Sequence, residues 1–441
     1  MGKAERMTNI SPQEFVQFLK EQRITRFFFV HDKKNDRLIC SHTQLQPMAD
    51  FIGTDRRDFM QHEGLFFQVC EPHDTLQGAF VHRTLRGQAS GGVRFWHYDT
   101  VEDYLRDGLR LSKAMTQKIA LAGMWWGGGK GVIAKNPQID TNDPAVRAKI
   151  YEDYGSFLTS LRGCYVVAED VGTNVTDMAS IYSKSRFTTC IPLSLGGSGN
   201  PSVLTARGVI CGMEAGIEFI GGGTLEGKTV AVQGMGNVGG PLIRFLFDKK
   251  VKKVIASDID PICIDRVKGQ LPDKDLETHI VERGDNSILG VECDILSPCA
   301  TGAILNPDTI PGMKAKIICG GANNQLEEDE RDGRLLQDQG IVYVPDFLTN
   351  RMGIVNCANE QYGYVNNDPF IERHLTTDWE QSIHQTTLKV LRTAQETGET
   401  PAGIAVRIAD ELSMELHPIF GHRGRQIIES LVADRWHESR P

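Results

Sequence analysis

Two groups of residues carry the chemistry in this 441-residue chain. The first centres on the stretch GMWWGGGKGVI, residues 123 to 133, where Lys130 stands among four glycines just after two tryptophans. Glycine costs folding entropy, so such a run marks a turn, a bulge or a ligand's close approach to backbone; here it reads as a glycine loop presenting a lysine. Lys118 precedes Lys130 by 12 residues, and the two cations can share one cleft. Asp170 follows the apolar run Tyr165 to Ala168 in GCYVVAEDVGTNVTDM. The end of a buried strand in an α/β fold faces open space, which makes Asp170 a second candidate.

The second group lies in EGKTVAVQGMGNVGGPLIRFLFDKKVKKVIASDID. A strand at Thr229 to Gln233 leads into Gly234, Gly236 and Gly239, spaced G-x-G-x-x-G, and an apolar helix leads on to a second strand ending at Asp258. In that order these are the parts of a dinucleotide-binding βαβ unit. Gly234 makes the tight turn, Gly236 lets the pyrophosphate approach, and Gly239 lets helix pack on strand. Asn237 and Val238 complete the loop at the helix N-terminus, where phosphates meet the helix dipole. Asp258 can accept from both ribose hydroxyls and repels a 2′-phosphate, so NAD is expected rather than NADP.

The elements that must position these residues follow from their own signals. Ser11, Pro12 and Glu14 spell an N-cap, first-turn proline and capping-box acid for a short helix over residues 11 to 20. RFFFVHDKKNDRLIC reads as strand, polar turn, strand. Thr100 caps a long helix ending near Gly123, with Lys118 in its last turns. Strands at Cys293 to Leu296, Lys316 to Cys319 and Ile341 to Val344 continue the second sheet, and the tail from about Asp368 is helical.

Composition narrows the function. The chain carries 48 lysines and arginines against 57 acids, a formal charge of −9, and its cations gather in nothing longer than short pairs such as Lys249-Lys250, so nucleic acid is not expected as a partner. No apolar run approaches the roughly 20 residues of a membrane helix, and MGKAERMTNI lacks the apolar core of a signal peptide. The cytoplasm is the expected compartment. The ten cysteines form no C-x-x-C pair and the histidines show no zinc spacing, so no metal is expected.

From about Gly91 to Gly363 the chain resembles the glutamate, leucine, phenylalanine and valine dehydrogenases, most of all the leucine/phenylalanine branch. The resemblance rests on GGVRFWHYD, AMTQKIALAG, GGGKGVI, AEDVGTNVTDM, GGSGNPSVLTARGV, VAVQGMGNVG, VECDILSPCATGAILN, GGANNQL and PDFLTN, in that order. It implies Lys130 as the catalytic lysine, Lys118 as the holder of the substrate α-carboxylate, and Asp170 as the group handling amino-group protons. It also implies Gly92 and Asn324 on the substrate side, and Thr205, Ala300 and Asn324 near the cofactor. A base must be neutral to act, and a lysine beside a second cation in a closing cleft has its charged form disfavoured.

The resemblance implies NAD-dependent, reversible oxidative deamination of an L-amino acid to its 2-oxo acid and ammonium, by a homo-oligomer. Glutamate-using members carry a lysine just before the GG of the first motif, where this chain has Ser90. The pocket residues that the resemblance places, Ser90, Ala168, Ile354 and Cys357, are a mixed set; with Arg351 facing solvent, as expected, Ala168, Ile354 and Cys357 favour an apolar side chain, whereas Arg351 facing the pocket would pair with an acidic or amide-bearing one. The rival readings are a non-standard or acidic substrate, a catalytically silent NAD-binding regulator or scaffold, and a 2-hydroxy-acid dehydrogenase; the last wants a histidine base beside the cleft, and the motifs hold a single histidine, His97 of GGVRFWHYD. The expected fold is α/β, an N-terminal α/β substrate domain plus a Rossmann dinucleotide-binding domain with a C-terminal helical return. Its parts are an extension over 1–60, a substrate domain over 61–200, the NAD-binding domain over 201–365, and helices over 366–441 packing back on the first domain.

Overall fold

A computed structural model describes residues 7–439; the first six residues of the stretch MGKAERMTNI lie outside them. Helix α1 (Pro12–Glu21) starts at Ser11, whose side chain accepts from the Glu14 backbone while Glu14 reaches back to the cap. Strands β1 (Arg26–Asp32) and β2 (Arg37–Cys40) form the expected hairpin. They join β3 (Gly64–Cys70), β4 (Thr75–Arg83), β5 (Ala89–Trp96), β6 (Gly127–Ala134) and β7 (Tyr165–Glu169) in one seven-stranded sheet ordered β2-β1-β3-β4-β6-β5-β7. The first 60 residues thus extend the sheet that carries the lysines.

The stretch expected as a glycine loop is the central strand β6, antiparallel to β4 and parallel to β5. Its glycines answer to crowding between elements rather than to a loop. A Cβ on Gly128 would lie 2.1 Å from the backbone nitrogen of Thr116, and one on Gly131 would lie 2.3 Å from the Tyr154 hydroxyl. Helix α2 (Val101–Leu121), capped by Thr100 as expected, therefore lies almost on the sheet backbone. Helix α3 (Pro144–Ser160) covers the other face with Tyr151, Tyr154, Phe157 and Leu158 fully buried. A lysine in such a strand cannot wander, because both its neighbours and its partners are fixed.

Helix α4 (Ser202–Phe219) leads into the second sheet, which is parallel throughout. It holds β8 (Thr229–Gln233), β9 (Lys253–Asp258), β10 (Leu276–Ile280), β11 (Ile295–Pro298), β12 (Ile317–Ile318) and β13 (Val342–Tyr343), in the order β10-β9-β8-β11-β12-β13. Helix α5 (Gly239–Asp248) follows the fingerprint and buries Leu242 and Leu246, with Phe245 half-buried. Strand order reverses about β8, the switch point at which a nucleotide sits outside the strand ends.

Four further helices close the fold: α6 (Met352–Glu360), α7 (Ile383–Thr397), α8 (Pro401–Ser413) and α9 (Arg423–Ala433). The tail returns to the first sheet: His422 Nε2 lies 3.0 Å from Glu63, Arg425 donates to the His31 carbonyl, and Trp436 Nε1 donates to Ser160. Among the described residues no helix is long and apolar enough to cross a membrane.

Candidate active site

The middles of β5 and β6, the C-terminal end of β7 and the last turns of α2 meet at one cavity of about 400 Å³, whose far wall comes from the second half of the chain. Lys130 is buried there, and its Nζ donates to Asp170 Oδ2 at 2.5 Å. Gly92 makes that approach possible, since a Cβ on it would lie 2.6 Å from the Asp170 Cβ. Burial pushes the Lys130 ammonium down, Asp170 opposes the fall, and Arg94 reinforces it; the net shift is downward. Burial alone would raise Asp170, but Lys130 and Arg94 outweigh it and hold the carboxyl at about 2.

Arg94 is a site residue that sequence reasoning missed, although it stands in the GGVRFWHYD stretch two positions after Gly92. Its Nε donates to Asp170 at 3.3 Å and its Nη1 to both oxygens of Asp107 at 2.9 and 3.1 Å. Arg94, rather than Lys118, is the main cation lowering Lys130. Alternation along β5 is the signal that could have found it.

Lys118 faces the same cavity, and its Nζ donates to Asn323 Oδ1 at 3.0 Å, a bond that crosses from α2 to the second half of the chain. Burial lowers its ammonium to about 8, with Asp346 opposing and Lys130 assisting. Asn323 was also missed; its neighbour Asn324 lines the cavity too, in a left-handed conformation at φ 52°. Asn350 Nδ2 donates to the same Asn323 oxygen at 2.8 Å, which fixes the amide's orientation.

Of the expected pocket residues, Gly92, Ala168, Ile354 and Cys357 line the cavity, together with Leu111, Ala114 and Met115. Ser90 does not. It is fully buried inside the sheet, paired with Gly128 and Val166, two positions before Gly92, where β5 begins to line the cavity. Arg351 departs further from expectation: it is 0% exposed, donates to the Leu121 carbonyl at 2.6 Å and to the Gln381 carbonyl, and lies outside the cavity. The carbonyls at the end of α2 need donors, and this guanidinium supplies one. Glu169 does reach the cavity; burial raises its carboxyl to about 7, and its Oε2 is buried without a partner.

The fingerprint has the shape that a dinucleotide needs. Gly234 has φ 91°, a Cβ on Gly239 would lie 1.9 Å from the Gly234 carbonyl oxygen, and a Cβ on Gly236 would meet nothing within 4 Å. Turn, close packing and free approach are thus divided among the three glycines as expected. Asp258 Oδ2 accepts from the Met235 backbone at 2.5 Å and Oδ1 from Asp260 at 2.9 Å, so the carboxylate is pinned at the strand end with lone pairs to spare. Asn237 and Ala300 are exposed beside the loop, while Val238 and Thr205 line the cavity that holds Lys130. The two groups of residues therefore share one cleft.

A family model described as glutamate/leucine/phenylalanine/valine dehydrogenase matches residues 196–414, and its dimerisation-domain companion matches residues 73–186. A leucine dehydrogenase of Bacillus cereus is 42% identical over 332 residues, covering 75% of this chain and 85% of the relative. A phenylalanine dehydrogenase of Caldalkalibacillus thermarum is 38% identical over 305 residues, covering 69% and 80%. The crystal structure of L-tryptophan dehydrogenase from Nostoc punctiforme superposes with a TM-score of 0.65 at 33% identity, covering 80% of this chain and 96% of that one.

Proposed function

The chain belongs to the glutamate/leucine/phenylalanine/valine dehydrogenase family, and from that premise we propose a division of labour among its residues for the reversible, NAD-dependent oxidative deamination of an apolar L-amino acid. A nicotinamide cofactor held at the fingerprint supplies the hydride acceptor. Lys118 binds the substrate's α-carboxylate, with Asn323 setting the direction of the ammonium. Asp170, ionised across the working pH range, accepts hydrogen bonds from the amino group and takes up its protons in transit. Lys130, when neutral, removes a proton from the water that adds to the imine carbon, and returns it as ammonia leaves. The observation that carries this reading is the buried Lys130–Asp170 pair facing the same cavity as Lys118 and Val238.

The cavity wall favours an apolar side chain. Leu111, Ala114, Met115, Ala168, Ile354 and Cys357 supply apolar surface. The cations in the wall are Arg94, Lys118 and Lys130, of which Arg94 and Lys130 are paired to acids within the site and Lys118 serves the α-carboxylate. A glutamate side chain would sit near Glu169 and lose its hydration without a free cation, at several kcal/mol. Initial rates over a panel of amino acids with NAD test this directly. Leucine, valine or phenylalanine exceeds glutamate in kcat/KM by at least about a hundredfold; a preference for glutamate defeats the assignment.

Lys118 gives a pH signature. Its folded-state pKa is depressed to about 8, so the cation that receives the carboxylate is present below that pH and lost as pH rises through it. The amino-acid KM therefore rises on the alkaline side of about pH 8, and the rise is absent in Lys118→Arg, whose charge does not titrate there. A flat wild-type KM from about pH 7 to 10 contradicts the role.

Cofactor choice rests on Asp258. Asp258→Ala weakens NAD and narrows its lead over NADP by roughly tenfold or more, measured as the ratio of kcat/KM values, because hydrogen bonds to charged groups are of that size. Equal use of both cofactors by the unmodified protein would show that the acid does not meet the ribose. We place the substrate domain at 61–200 and the cofactor domain at 201–365. A homo-oligomer accords with the dimerisation-domain match over residues 73–186, and a reducing cytoplasm accords with ten free cysteines.

A further inference from the structure

A second cavity, of about 920 Å³, lies behind the catalytic one. Three of the chain's five tryptophans, Trp125, Trp126 and Trp379, line it, with Tyr362, Phe370 and Phe420. Trp125, Tyr362, Phe370 and Phe420 are 40%, 77%, 43% and 56% exposed, a concentration of bare aromatic surface that isolated soluble chains rarely show. The catalytic scheme uses none of these residues.

The polar groups in this wall are one-sided. The Arg373 guanidinium lies 3.8 Å from the Phe370 ring and 4.3 Å from the Trp379 ring, held between two aromatic faces. Its Nε is buried without a hydrogen-bond partner, and the adjacent Glu372 is taken by Arg207 at 2.6 Å. Lys389, also in the wall, has no ion-pair partner among the described residues. The wall's two carboxylates do not answer these cations: Glu415 is paired with Arg86, and Glu380 is solvent-exposed. A planar cation fixed between rings is built to receive a carboxylate through two parallel hydrogen bonds, while the neighbouring rings stack on an aryl group.

We propose that this cavity is an effector site for a small aromatic carboxylate. Its walls are the backs of the elements that form the catalytic cleft. Leu121 and Gly123 end the helix that carries Lys118, Trp126 runs straight into the strand that carries Lys130, and Ala358 and Asn359 belong to the helix whose Ile354 and Cys357 face the substrate. Arg351 ties that helix to the Leu121 carbonyl. A ligand that orders the back of these three elements changes how their fronts hold the substrate, which is coupling through shared rigid pieces.

The test uses 3-phenylpropanoate, which has neither an amino nor an oxo group to react, and reads fluorescence of the wall tryptophans. The wild type is quenched with a Kd of about 1 mM or tighter, the affinity a ligand of this size typically reaches. Lys118→Ala, which disables carboxylate binding in the catalytic cleft, keeps the quench. Arg373→Gln raises the Kd roughly tenfold or more and Lys389→Gln raises it less, as loss of one charged hydrogen-bond donor implies; 3-phenylpropylamine does not quench. At saturating amino acid the carboxylate changes wild-type kcat by about twofold or more and leaves Arg373→Gln unchanged.

Absence of quenching, a quench lost in Lys118→Ala, or equal quenching by the amine overturns the site. Quenching without any change in kcat overturns the effector role. Circular dichroism checks that Arg373→Gln is folded; if it is not, an unchanged Kd in the exposed Lys389→Gln variant overturns the carboxylate contact. A change in molar mass by light scattering in Lys389→Gln, with no quench in the wild type, shows the face to be a subunit interface instead.

Discussion

Lys130→Ala binds NAD with unchanged affinity and loses at least about 10²- to 10⁴-fold in kcat, the range of a positioned general base. The loss is confined to chemistry because the lysine stands on β6 of the first sheet and the fingerprint on the loop after β8 of the second. The substitution also leaves Asp170 beside Arg94 alone, 3.3 Å away, so the carboxylate stays ionised and the site does not collapse for want of a counter-charge. Lys130→Arg does not restore the rate, since a guanidinium keeps its proton at any pH used for the assay. Cofactor affinity is read by NADH fluorescence titration and turnover by absorbance. Near-normal kcat in either variant removes Lys130 from the mechanism.

Arg351→Ala melts several degrees lower and leaves substrate preference unchanged. The side chain is fully buried, and its guanidinium satisfies the carbonyls of Leu121 and Gln381. Truncation strands the buried Leu121 carbonyl and the part-buried Gln381 carbonyl and opens a cavity, together about 3 kcal/mol or more. Arg351→Met fills most of the volume without the donors and recovers part of the loss, about 1 kcal/mol. Burial lowers the guanidinium to about 9, far below the range of an exposed arginine, which reflects how completely it is withdrawn from water. Thermal unfolding with both variants checks this. An unchanged melting temperature combined with a gain or loss of glutamate turnover would place the guanidinium in the substrate pocket after all.

What could be read from residue order was whatever local rules dictate. The capping box at Ser11 and Glu14, the Thr100 cap and the strand–glycine–helix–strand–acid order at 229–258 each need only near neighbours, and the structure places them as read. Lys118 and Asp170 leave the end of α2 and the end of β7, the kind of position that residue order marks, whereas Lys130 reaches them from the middle of β6.

The misreadings share a different cause. The glycines around Lys130 looked like a loop because the helix and tyrosines pressing on them, Thr116 and Tyr154, lie 12 or more residues away in sequence. Ser90 looked like a pocket residue because strand length, and hence where the cavity floor begins, is set by pairing with β6 and β7. Arg351 looked solvent-facing because its acceptors lie 230 and 30 residues away. The second cavity was invisible for the same reason: Trp125 and Trp379 come together only in the folded chain.

The central claim is that this cleft removes hydride and ammonia from one and the same amino acid. Incubating the enzyme with NAD and ¹⁵N-labelled L-leucine, then quantifying NADH, ¹⁵N-ammonium and the 2-oxo acid in a single sample, tests it most directly. Equal amounts of the three products in the wild type, with none of the three in Lys130→Ala, is the predicted result. NADH formed without labelled ammonium, or no NADH from any amino acid under conditions where the cofactor binds, would contradict it.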